Sequence, residues 1–118
     1  MIGESMERYK IAFTGHRNKV CDARQLDNIM RAWPNAIWVH DEADGFDSQV
    51  AEFARAHGIT AQAKSNDQII EDADILVACY DGRKGGGTFH TVNKADKAGI
   101  AIHYLEAREV PFGRLEFA

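Results

Sequence analysis

Five short apolar runs, each separated from the next by a stretch of helical period or by a turn, constrain this chain more than any other feature. The runs fall at residues 9–14, 36–40, 59–62, 75–80 and 100–105. The first, fourth and fifth have little polar interruption, as strands buried on both faces do. Between them Leu26, Ile29, Met30 and Trp33 recur at helical spacing. So do Phe46, Val50, Phe53 and Ala54, and later Thr91, Val92, Ala95 and Ala98. Ile69, Ile70 and Ala73 predict a short helix before the fourth run. Gly58 and Gly99 stand where left-handed helix C-caps are expected. Strand-helix alternation at this spacing implies right-handed crossovers and a parallel, doubly wound α/β sheet.

The 118 residues suffice for one domain and its core, and are too few for two. That core is expected over residues 9–105. Residues 106–118 do not continue the alternation. Their apolar Val110, Phe112, Leu115 and Phe117 either pack on the same domain or form a subunit contact. The 45% hydrophobic and 27% charged composition is ordinary for a soluble domain. The net charge is −4 with no dense Lys/Arg run, which speaks against non-specific binding to a nucleic-acid backbone. Cys21 and Cys79 make no CxxC pair, so neither a zinc site nor a disulfide framework is expected. Residues 1–10 are polar and do not read as a signal peptide, and no apolar run approaches membrane-spanning length. A cytoplasmic location is the expectation.

In such folds ligands sit beyond the carboxyl ends of the strands. Four polar loops lie at that edge: Gly15-His16-Arg17-Asn18, residues 41–45, residues 63–66, and residues 81–88. The last holds Gly85-Gly86-Gly87-Thr88 at a helix start. Glycines let backbone amides approach a ligand, and the first turn of a helix leaves N–H groups unpaired for an anion. Arg83 and Lys84 add charge there. The competing reading is a flexible turn with Thr88 as N-cap. Thr14-Gly15-His16-Arg17 closes the first strand. Arg17 suits a phosphate or carboxylate and His16 a ribose or base, or both are solvated turn residues. Asp47 and Asn66 stand near helix starts, either as caps or as ligand contacts. His40 and His90 have no evident partner. The acids Asp41, Glu42, Asp44 and Asp47 match no calcium-loop spacing, and no metal is expected.

These pieces, in this order, resemble the SLOG superfamily of Rossmann-like domains, which includes DprA-type and lysine-decarboxylase-like (LOG) proteins. The similarity is greatest to a small bacterial and phage branch that opens with a TGHR strand-turn, here Thr14-Gly15-His16-Arg17. Ala43-Asp44-Gly45-Phe46-Asp47 is similar to its second element. Asn66, Ile69-Ile70, Ala73-Asp74, Leu76-Val77-Ala78, Asp81-Gly82, Gly86-Gly87-Thr88, Thr91-Val92, Ala95 and Gly99 follow its third. The resemblance spans residues 9–105. It implies a three-layer Rossmann-like domain with a five-stranded parallel sheet of order 3-2-1-4-5. It also implies a nucleotide-type ligand across strands one and four, and a homodimer or homotetramer.

Two departures bear on function. LOG phosphoribohydrolases carry a Glu three residues after Gly-Thr, and deoxyribosyltransferases a nucleophilic Glu at the same offset. That position here is Thr91, which has no carboxylate to act as base or nucleophile. Losing such a group removes about 10²–10⁴-fold in rate. The branch also has Gly-Gly where this chain has Asp41-Glu42; two carboxylates there would repel a phosphate and face either ribose hydroxyls or solvent. The chain is compact before Asn66, so one pocket wall is either missing or supplied by a partner subunit. The reading is a non-catalytic binder of a phosphate-bearing nucleotide or ADP-ribose-like signal. Its expected contacts are Thr14, Gly15, His16, Arg17, Asp47, Asn66, Gly85, Gly86, Gly87, Thr88 and Thr91, with no cofactor. The alternative is an N-glycosidic hydrolase or deoxyribosyltransferase-like enzyme in which Asp81, Asp47 or His90 replaces the Glu. A DprA-like DNA-binding module ranks last on charge.

Overall fold

A computed structural model describes residues 8–109. At its centre β1 (Lys10–Gly15) pairs in parallel with β3 (Ile37–His40) on one side and β5 (Ile75–Cys79) on the other. β4 (Ala61–Ala63) extends the sheet beyond β3, and β6 (Ala101–Leu105) extends it beyond β5. The order is therefore β4-β3-β1-β5-β6, rather than the expected 3-2-1-4-5. The difference comes from a strand the apolar pattern did not announce. β2 (Lys19–Val20) follows β1 directly and pairs outside this sheet, antiparallel to β7 (Arg108–Glu109), which shifts the number of every later strand.

Side-chain alternation along the central strands divides the core in two. Ile11, Phe13, Ile75, Val77 and Cys79 face α1 (Ala23–Ala32) and α2 (Phe46–Ala56). Ala12, Leu76 and Ala78 face α3 (Gly86–Lys97). The first face is bulky. Phe13 lies 4.5 Å from Trp38 between ring centroids, and Trp38 stacks on Phe53 at 5.7 Å. Each such ring contributes about 1.5–3 kcal/mol by leaving water. The second face is small-residue on the sheet side, and Val92 and Ala95 of α3 close it.

Helix ends follow local chemistry. Asp22 caps α1 by accepting from the Arg24 amide at 2.9 Å. α1 stops at Trp33, the residue before Pro34, where the helical region is sterically disfavoured. Gly58 and Gly99 adopt the left-handed backbone just past α2 and α3.

Three other expectations are corrected. Residues 66–72 are successive turns and not a helix: Gln68, Glu71 and Ala73 donate to the carbonyls of Ser65, Gln68 and Ile70. Two or three apolar residues do not offset the cost of nucleating a regular helix, although Ile69 is fully buried. The third strand begins at Ala61 rather than Ile59, because the Ile59 amide closes α2 onto the Ala54 carbonyl. The fifth strand is an edge strand, with Ala101, His103 and Tyr104 exposed, rather than buried on both faces. Val110, Phe112, Leu115 and Phe117 lie outside the described residues. Among the described residues no helix is long and apolar enough to cross a membrane.

Candidate functional site

The loops after β1, β3, β4 and β5 all emerge at the carboxyl edge of the sheet. They enclose a cleft of about 490 Å³. It lies where the chain direction of the crossovers reverses, between β1 and β5, the usual ligand position in open α/β sheets. Gly15, His16, Arg17 and Asn18 line it from the first loop. Asp41, Ala43 and Asp47 line it from the β3–α2 segment, Asn66 from below, and Arg83 with Gly85, Gly86, Gly87 and Thr88 from the β5–α3 segment.

Close backbone packing shapes the first wall. Gly45 has φ 70°, and a Cβ there would meet the Arg17 carbonyl oxygen at 2.2 Å. The β3–α2 loop is thereby pressed against the turn after β1. The His16 carbonyl accepts from the amides of Lys19 and Phe46, which binds the same two segments again.

His16 links that turn to the loop after β5. Its Nε2 lies 3.0 Å from Asp81 Oδ1 and 3.2 Å from the Asp81 amide nitrogen. One tautomer donates to the carboxylate and the other accepts from the amide, so either one holds the two loops together. Burial lowers the His16 pKa, and the opposing pull of Asp81 does not reverse it, so the ring is neutral at pH 7. Asp81 also receives the Arg83 guanidinium, with Nη2 at 2.6 Å and Nε at 3.0 Å from its oxygens. Those bonds hold its carboxyl well below the usual range.

The opposite wall is a latch between α3 and the turns at 66–72. Thr91 Oγ1 donates to Asn66 Oδ1 at 3.2 Å, and Asn66 Nδ2 donates to the Gly87 carbonyl at 3.5 Å. Lys94 Nζ adds a bond to the Asp67 carbonyl. A Cβ on Gly87 would come within 3.2 Å of Asn66 Nδ2, so the glycine permits this approach.

Both helices that start at the cleft lack a side-chain cap. The N-cap of α2 is Gly45 and that of α3 is Gly85. Thr88 is thus not an N-cap: α3 begins two residues earlier, and Thr88 is buried in its first turn. Asp47 is not a cap either. It is 4% exposed, and its Oδ1 has no hydrogen-bond partner among the described residues. Burial, with Asp41 adding repulsion, pushes its carboxyl up to about 8. Arg17 is exposed and makes no ion pair with another described residue.

The structure thus gathers Gly15, His16, Arg17, Asp47, Asn66 and Gly85 to Thr88 around one space. It places Thr14 inside β1 opposite Ala78, Thr91 behind Asn66, and Asp81 between His16 and Arg83. His90 is exposed and does not line the cleft. Asn18, Asp41, Ala43 and Arg83 line it as well. For Asp41 the available signal was its position directly after a central strand, where acidic residues reach ligand hydroxyls. No group of three or more His, Cys, Asp or Glu among the described residues is placed to hold a metal ion. No family model, no curated protein and no solved structure matches the chain.

Proposed function

We propose that the cleft binds a phosphate-bearing nucleotide or ADP-ribose-like molecule without turning it over, so that the protein senses or sequesters its ligand. One observation carries this reading. α3 begins at the cleft on Gly85 with no side-chain cap, whereas α1, which does not border it, is capped by Asp22. Uncapped first-turn amides with the positive end of the helix dipole suit an anion. Arg17 and Arg83 supply cationic partners for phosphate. The volume is in the range of small-molecule sites. The resemblance to SLOG domains supports the ligand class, and Thr91 at their glutamate position supports binding without turnover.

Calorimetry with nucleoside monophosphates and diphosphates, NAD, ADP-ribose and cyclic ADP-ribose isomers tests the reading. Stoichiometric binding with the ligand recovered intact is the expected result. No binding across that set overturns it.

A second reading has one observation in its favour. Asp47 holds a proton at neutral pH and lies beside Asp41, and a pair of carboxyls is what acid-base cleavage of a glycosidic bond uses. Free base released from nucleoside monophosphates or NAD, and lost in Asp47→Asn, would establish it. Asp81 and His90 are poor substitutes for the missing Glu, being respectively tied to Arg83 and outside the cleft.

A further inference from the structure

The two ends of the cleft differ in chemistry. One end carries the first-turn amides of α3 with Arg83, and Arg17 lies on the facing loop. The other carries Asp41 and Asp47. Asp47 is the unusual member. A carboxyl that is almost fully buried normally has a donor to meet it, and this one has none at Oδ1. Its own helix offers nothing, since no side-chain cap bond forms at the start of α2. A group left unsatisfied beside a ligand-sized space is completed by whatever fills that space.

The chemistry of that end selects the complement. A phosphate oxygen brings negative charge toward Asp41 and has no proton to give. A hydroxyl donates, and two adjacent hydroxyls match two neighbouring carboxyls. We propose that Asp41 and Asp47 read a vicinal diol, so that the ligand lies across the cleft with its phosphate at the start of α3 and its diol at the start of α2. The proposal rests on the phosphate-binding reading of the same cleft and adds which end of the ligand goes where.

A proton accompanies the contact. Hydroxyls that donate to Asp47 stabilise its ionised form. Asp47 therefore loses its proton to solvent when a diol binds near neutral pH, and affinity rises with pH up to about 8, the value in the free protein. Several ionisable groups border the space: Asp41 from the β3–α2 loop, His16 and Arg17 from the turn after β1, and Arg83 from the β5–α3 loop. Of these Asp41 is the one that shifts Asp47.

Amide NMR titrations of the whole chain with pyrophosphate, ribose 5-phosphate and 2-deoxyribose 5-phosphate test this at about pH 6 and about pH 8. The deoxy sugar keeps the phosphate and lacks the vicinal diol. Ribose 5-phosphate should bind about tenfold more tightly than its deoxy analogue, as a charge-assisted hydrogen bond provides. The preference should grow from the lower pH to the higher. The Asp47 carboxyl ¹³C signal should move toward its ionised position on binding ribose 5-phosphate. Asp47→Asn should abolish both the preference and its pH dependence, and Asp41→Asn should weaken the preference while keeping a folded spectrum. Pyrophosphate binding with no discrimination between the sugars, or discrimination that survives in Asp47→Asn, overturns the diol assignment and leaves the phosphate reading standing. No response to any of the three probes overturns both.

Discussion

At Asp47 the folded chain holds a proton that the unfolded chain gives up under mildly acidic conditions. The folded value is near 8, and an unfolded Asp titrates near 4. Below the unfolded value both states are neutral and the carboxyl adds no pH dependence. Between the two values only the unfolded state ionises, so stability falls as pH rises through that window. Asp47→Asn removes the titration. The variant should match the wild type near pH 4 and exceed it by a few kcal/mol, on the order of 2–4, near pH 8. Urea denaturation at a series of pH values checks this. A gap that is constant with pH would mean that Asp47 does not titrate in this window. Gly45 presents the opposite kind of constraint, since it admits no side chain. Its positive φ and the Arg17 carbonyl beneath it should make Gly45→Ala cost at least about 2 kcal/mol. A thermal melt reads that loss directly.

Among the elements, the loop after β5 and the turn after β1 behave as one unit through His16, Asp81 and Arg83. Removing the carboxylate with Asp81→Asn takes away the one neighbouring group that raises the His16 pKa, so the imidazole should titrate still lower. Histidine NMR titration measures it, and an upward shift would show that burial is not the dominant cause. Much of this arrangement was legible beforehand. Helical stripes such as Leu26–Ile29–Met30–Trp33 placed α1, α2 and α3, and buried runs placed β1 and β5, because one-sided and two-sided burial leave different periods in a sequence. The glycines marked the cleft loops because close approach needs them. What stayed hidden has physical causes. β2 and β7 are two residues each and are held by backbone pairing and by the exposed Lys19–Glu109 ion pair, which leave no apolar period. The helix at 66–73 failed because its apolar residues were too few. Asp47 read either as a cap or as a ligand contact because capping is the common use of Asp at a helix start, and only the three-dimensional burial of Oδ1 distinguishes the two.

For the molecule as a whole, the pH of greatest stability depends on groups that pull in opposite directions. His16 has a depressed folded value, so its contribution is present above the unfolded value of about 6.5 and is lost as pH falls. Asp47 removes stability as pH climbs from about 4 to 8. Asp81, whose carboxyl is held well below the usual range, contributes stability that is lost as pH falls below about 4. The wild type should therefore be most stable near about pH 4–5, and Asp47→Asn should move that maximum toward neutral pH. Melting temperatures across a pH series decide it. By contrast Glu109→Gln, which removes the exposed ion pair with Lys19, should change stability by less than about 1 kcal/mol. Thr91 has a different kind of consequence. Thr91 is 2% exposed, and its hydroxyl holds Asn66, which in turn holds Gly87 at the rim of the cleft. Replacing it with Glu would bury a longer acid where a threonine fits and would release the latch. The wall built around Thr91 thus decides what that position accepts: a short hydroxyl is held in place, and a longer acid is turned away.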